Sequence, residues 1–175
     1  MENVSAAPMS RNKLRVLVEK FRELFGLENV LYFPIVQFIE WCLPELGLES
    51  EVVSISEMQD TYGLTNTKKN TLLIREDVYI GAIAGNPRDR FTLCHELGHF
   101  ILHTPDRVGF ARGEIPAYRN PEWHANTFAG ELMAPYHLTC CMSVDEIMAK
   151  CGMSRQAAQI QYDTFRKIDV KRLIS

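Results

Sequence analysis

The sequence has no long hydrophobic run. Counting proline but not glycine, its longest apolar stretch is the seven residues from Val30 to Val36, far short of the roughly 20 that span a bilayer. The opening residues MENVSAAPMS hold no apolar segment of the kind a secretory signal needs, so the chain is expected to stay in the cytoplasm. No C-x-x-C pair occurs either. The five cysteines (Cys42, Cys94, Cys140, Cys141 and Cys151) are an odd number that includes one adjacent pair. In a chain of this size they read as reduced core or surface thiols rather than a disulfide scaffold. There is no basic surplus: a net charge of −3 argues against a protein that coats nucleic acid or anionic membrane with its whole surface. Internal repeats and low-complexity tracts are missing as well.

What is present suffices for one compact domain with a small appendage. The 175 residues are 46% hydrophobic and 23% charged, near the average for a globular protein with a real core. Charge is uneven. From Lys150 onward six Lys or Arg face two Asp, a local charge of +4, which leaves −7 on the preceding part.

Periodicity divides the chain into helices, a small sheet and helices again, an α+β layout. Residues 1–10 read as a flexible tail. Leu14, Leu17, Val18, Phe21, Leu24 and Phe25 follow helical spacing up to Gly26, and a second helix is expected from Pro34 to Cys42, kinked or ended by Pro44. Val52 to Ile55, Thr71 to Ile74 and Val78 to Ile83 read as three strands of a small, mostly antiparallel sheet. A long helix from about Asp89 to His103 follows, capped by Asn86 or Asp89 and closed by Thr104-Pro105. Residues 104–120 form a substantial loop, and helical spacing resumes from Glu122 to Met133. Short helices over Val144–Lys150 and Ser154–Ile168 complete the pattern. The expected organisation is a tail over 1–10, one α+β domain over 11–142, and a helical segment over 143–175 that has a helix-turn-helix-like pattern.

The chemistry lies in His95-Glu96-Leu97-Gly98-His99, an H-E-x-x-H motif on the long helix. Residues four apart on a helix leave the same face about 6 Å apart, so both imidazoles can share one metal ion. Glu96, offset by one position, can approach a metal-activated water as general base without becoming a ligand. With five His and fifteen Glu in the chain, such a motif arises by chance in roughly one chain in a hundred. The context is also apolar: Phe91, Leu93, Cys94, Leu97, Phe100, Ile101 and Leu102 imply a buried helix, where imidazoles and a carboxylate need partners.

A catalytic zinc commonly takes three protein ligands and leaves a fourth position open. His103 stands a turn beyond His99 and is expected to pack or hydrogen-bond at the helix end. The longer metzincin pattern is excluded, because Leu102 and Pro105 occupy its Gly and His positions. Glu122, Glu131, His124 and His137 remain. Glu122, which opens the next helix 23 residues after His99, is favoured and would complete a two-His-one-Glu set. His124 is expected on the helix surface, with a cleft-facing role as an oxyanion donor the sharper alternative.

These residues resemble the ImmA/IrrE family of small metallopeptidases. The resemblance rests on Asp89-Arg90-Phe91-Thr92-Leu93-Cys94-His95-Glu96-Leu97-Gly98-His99 and Leu102-His103, then Glu122-Trp123-His124-Ala125-Asn126-Thr127-Phe128-Ala129 and Glu131-Leu132-Met133-Ala134-Pro135. It covers about residues 30–165. The family's pattern departs here at Ala134 and at His124. The resemblance implies that residues 11–142 form a zincin-like metallopeptidase domain, a zinc endopeptidase whose third ligand is Glu122. It also implies a protein partner, often a helix-turn-helix repressor near mobile elements or stress genes, whose cleavage derepresses transcription. Two other functions stay open. One is a metal-stabilised regulatory partner without turnover, of the phage or toxin–antitoxin type. The other is DNA contact through the basic helices beyond Asp145, with Ser154–Ala158 opening a recognition helix.

Overall fold

The computed structural model describes residues 3–103, 108–111 and 115–174, with side chains for residues 4–103 and 115–168. The chain opens with strand β1 (Asn3–Ala6), where a flexible tail was expected over residues 1–10. It pairs antiparallel with β5 (Val108–Ala111), Asn3 opposite Ala111 and Ala6 opposite Val108. Helix α1 (Arg11–Leu24) starts at Ser10, whose hydroxyl accepts from Lys13 N, and is followed by Gly26 in a left-handed conformation. A turn of helix, α2 (Ile35–Gln37), runs into a π-helical turn over Phe38–Cys42 and a 3₁₀ turn over Pro44–Leu46.

Three strands make the main sheet, β2 (Glu49–Val53), β3 (Gly63–Asn66) and β4 (Thr71–Arg75), with the short helix α3 (Ile55–Met58) after β2. The order is β2-β4-β3, and the sheet is mixed: β2 is parallel to β4 and β3 is antiparallel to it. The expected strand over Val78–Ile83 is instead part of helix α4 (Glu76–Ile83). Glu76 and Asp77 supply the acidic first turn a helix favours, and Asp77 is fixed by Arg75 (Nε to Oδ1 2.7 Å). Val78 and Ala82, four residues apart, are buried while Ile80 and Ile83 face outward, a helical spacing that outweighs the β propensity of the isoleucines.

Two helices carry the site. Helix α5 (Pro87–Leu102) and helix α6 (Pro121–Met133) begin alike, with a capping asparagine followed by proline. Asn86 Oδ1 accepts from Arg88 N at 3.0 Å, which settles the cap of α5, and Asn120 Oδ1 accepts from Glu122 N at 2.9 Å. The expected closure of α5 at Thr104-Pro105 lies outside the described residues. Where α5 crosses α6, Gly98 lets the backbones approach: a Cβ there would lie 3.2 Å from Ala125 Cα and 3.1 Å from a Phe128 ring carbon.

Beyond α6 come α7 (Tyr136–Thr139), α8 (Val144–Cys151) and α9 (Arg155–Ile174). Ile147, Cys151, Met153 and Ala158 belong to the same buried cluster as Leu14 and Val18 of α1, Leu72 and Ile74 of β4, Leu93 and Leu97 of α5, and Phe128 and Leu132 of α6. The segment beyond residue 142 therefore covers this core. A buried ion pair ties α1 to α6: Arg15 Nε and Nη2 each lie 2.9 Å from a Glu131 oxygen, and Arg11 reaches both Glu131 Oε1 (3.4 Å) and Gln161 Oε1 (2.9 Å). Glu131 is 1% exposed. Removing one side of such a pair strands the other charge away from water, so Glu131→Ala should cost about 3–5 kcal/mol. Urea unfolding of the metal-free chain measures this, and a loss under about 1 kcal/mol would contradict it.

Candidate metal centre

Helical geometry places His95 and His99 on one face of α5, and the crossing at Gly98 brings the start of α6 opposite them. Their Nε2 atoms lie 2.9 Å apart. Glu122 Oε2 is 3.3 Å from His95 Nε2, and Glu122 Oε1 is 3.3 Å from His99 Nε2. Two imidazole nitrogens and a carboxylate thus converge on one point, a set with the composition and spacing to hold a divalent metal ion. Both rings are mostly buried and Glu122 is 65% exposed, so the point opens toward solvent on the Glu122 side. Glu131 and His137, weighed as ligands from sequence, lie elsewhere: Glu131 is held by Arg15, and His137 Nε2 is 2.8 Å from Glu28 O.

The hydrogen bonds around the rings suit that use. Asn126 Oδ1, 3.0 Å from His95 Nδ1, accepts a hydrogen bond from that nitrogen, which keeps the ring proton there and leaves Nε2 its lone pair. Asn126 sits four residues after Glu122 and shares its face of α6, a spacing visible in the sequence although no role was assigned to it. His99 Nδ1 is likewise engaged, 3.0 Å from His103 Nδ1. The charges respond to this crowding. His95 and then His99 hold the Glu122 carboxyl well below the usual carboxylate range. Burial works against a charged His95, but Glu122, Glu96 and Asn126 together outweigh it and raise its pKa. Two imidazoles and a carboxylate pressed together favour a cation between them, whether a proton or a metal ion.

Glu96, next to His95 on α5 and close enough to help raise the His95 pKa, is 8% exposed. Thr65 of β3 holds it: Oγ1 lies 2.8 Å from Glu96 Oε2 and 3.0 Å from Glu96 O, and its single proton goes to the stronger acceptor, the carboxylate. Gly63 gives it room, since a Cβ there would come within 2.7 Å of Glu96 Cγ. Nothing in the sequence near position 65 announces this contact, which spans 31 residues.

His103 and His124 complete the site. His103 hydrogen-bonds at the end of α5, as its position implies, and its Nε2 is 3.3 Å from His124 Nδ1. His124 is not on the helix surface. It is 1% exposed, because the face of α6 that carries it packs against the end of α5. The cleft beside the metal point, about 590 Å³, is lined by Val4, Thr65, Thr67, His99, His103 and Glu122 among others. Both ring nitrogens of His124 are already engaged, Nδ1 with His103 and Nε2 with Tyr118 O, which leaves no donor for an oxyanion. Burial pushes the His103 pKa down to about 3, helped by His99 and His124, and burial also lowers that of His124. Both rings are neutral near pH 7.

A family model described as the IrrE N-terminal-like domain, Peptidase M78, matches residues 52–161. That span holds every residue of the metal point together with Thr65 and Glu96, and runs past residue 142 into α9. No curated protein matches the chain. Among the described residues no helix is long and apolar enough to cross a membrane.

Proposed function

Because the chain belongs to the IrrE N-terminal-like family of M78 peptidases, we propose that it is a zinc-dependent endopeptidase of narrow specificity, acting in the cytoplasm on a protein partner, a helix-turn-helix repressor by resemblance. The observation that carries this reading is the meeting of His95, His99 and Glu122 with Glu96 held at their side. His95, His99 and Glu122 would hold the ion. A zinc ion bound there acidifies water and polarises a peptide carbonyl. Glu96 takes the proton from the attacking water and returns it to the leaving amine, and the Thr65 hydroxyl keeps the carboxylate aimed while it does so.

The surroundings support a peptide substrate. β3 is an edge strand of the sheet, and Thr65 and Thr67 line the cleft. An extended segment can add to that edge through main-chain hydrogen bonds, which presents its peptide bonds to Glu96 one after another. Val4 of β1 stands on the cleft as well, and a wall there favours a selected segment over any unfolded chain. The hold of Thr65 on Glu96 favours turnover over a regulator that merely needs metal for stability, for which a poised carboxylate has no use.

The test compares cells producing the chain with cells producing its Glu96→Gln variant, by sequencing newly formed protein N-termini. One or a few new termini, confined to a DNA-binding regulator and absent with the variant, are expected. Widespread new termini would refute narrow specificity, and identical termini in both would refute the peptidase reading.

A further inference from the structure

Hydrogen-bond direction around His99 follows from one backbone atom. Tyr118 O can only accept. It takes the N–H of Met9 at 2.8 Å and lies 3.0 Å from His124 Nε2, which must therefore carry its ring's proton. A neutral imidazole has one proton, so His124 Nδ1 is an acceptor. His103 Nε2, 3.3 Å away, must donate to it, which leaves His103 Nδ1 as acceptor. His99 Nδ1, 3.0 Å from that atom, must in turn donate. The lone pair of His99 is then on Nε2, the atom 2.9 Å from His95 Nε2 and 3.3 Å from Glu122 Oε1. His103 and His124 are 5% and 1% exposed, so the chain of rings runs in a region shielded from solvent. His95, by contrast, has Asn126 as the single partner of its Nδ1 among the described residues.

We propose that His103 and His124 are positioning residues for the metal: a directed chain of imidazoles, anchored on the Tyr118 carbonyl, that fixes the tautomer and ring plane in which His99 offers Nε2 as a ligand. This rests on the metal-site reading above and deepens it. Partners that orient a ligating histidine commonly set metal affinity by about 10–100-fold. The particular consequence here is transmission. His124 hydrogen-bonds to neither His95 nor His99 nor Glu122, yet its identity governs how His99 binds.

Zinc affinity, measured by competition with a chromophoric chelator, tests this on the full chain and on His103→Phe, His124→Phe, the double variant and His124→Gln. Visible absorption of the cobalt(II)-loaded proteins is recorded alongside. His103→Phe should weaken zinc by about 10–100-fold. His124→Phe should weaken it in the same direction and shift the cobalt bands. His124→Gln, which keeps one donor and one acceptor, should recover affinity and bands. The double variant should be no weaker than His103→Phe alone, because both break one chain. Wild-type affinity in His124→Phe, or losses that multiply in the double variant, would overturn the proposal. If His103→Phe does not fold, the contrast between His124→Phe and His124→Gln decides. Should the unaltered chain bind no zinc, the metal-site reading itself falls. Tight binding by the unaltered chain with no change in the variants sinks only the relay.

Discussion

Glu96→Gln should keep the zinc complement of the unaltered chain and lose cleavage, slowing turnover by about 10²–10⁴-fold at the least, the usual worth of a positioned general base. The amide has the shape of the carboxylate, so the space opposite Gly63 is filled as before, and its oxygen can still accept from Thr65. Glu96 is not among the three groups that converge on the metal point, and zinc content should not change. What disappears is a base able to take a proton from water and give it up to an amine. Elemental analysis and cleavage of the partner found from its new N-termini are the two readouts. Normal turnover with normal zinc would remove Glu96 from the mechanism. Lost zinc would mean that the carboxylate supports the metal as well, and that the rate loss says nothing about proton transfer.

The parts of this site that could be read in the sequence are those fixed within one helix. The spacing of His95 and His99 follows from 3.6 residues per turn, and the helix beneath them is announced by its Asn-Pro start and apolar run. Glu122 was reachable by the same logic, as the first turn of the next capped helix. Residues whose roles depend on how elements meet were not legible. His124 looks like a surface residue until the Gly98 crossing turns its face of α6 against His103. Thr65 lies on a four-residue strand, Gly63–Asn66, too short to show alternation. β1 needs a partner about a hundred residues away to become a strand at all. The expected strand over Val78–Ile83 failed for the opposite reason. Local β propensity was strong there, but the acidic start after Arg75 and burial at Val78 and Ala82 favour a helix.

That division explains why the two halves of the site differ in sensitivity. His95 and His99 are placed by a helix with long-range support on several sides, whereas Glu122 sits in the first turn of α6 and is largely exposed. Its place at the metal point therefore owes more to its contacts with His95 and His99, and to any ion held there, than to packing. Glu122→Ala should accordingly fold, and it should lose zinc by more than the roughly 10–100-fold that a supporting partner is worth. Asn120 and Pro121 start the helix with or without this side chain, since Asn120 caps through backbone N–H groups. The two imidazoles alone would leave a bound ion short of a ligand and of a compensating negative charge. Elemental analysis of chains purified without chelator should find the metal in the unaltered protein and little in the variant. Thermal unfolding gives an independent check, because an ion that binds only the folded state raises the melting temperature by mass action. Added zinc should raise the midpoint of the unaltered chain and leave that of Glu122→Ala near its metal-free value. A variant that retains a full complement of zinc would reassign the third ligand, and among the described residues only His103 presents another ring nitrogen within hydrogen-bonding distance of a metal-point histidine.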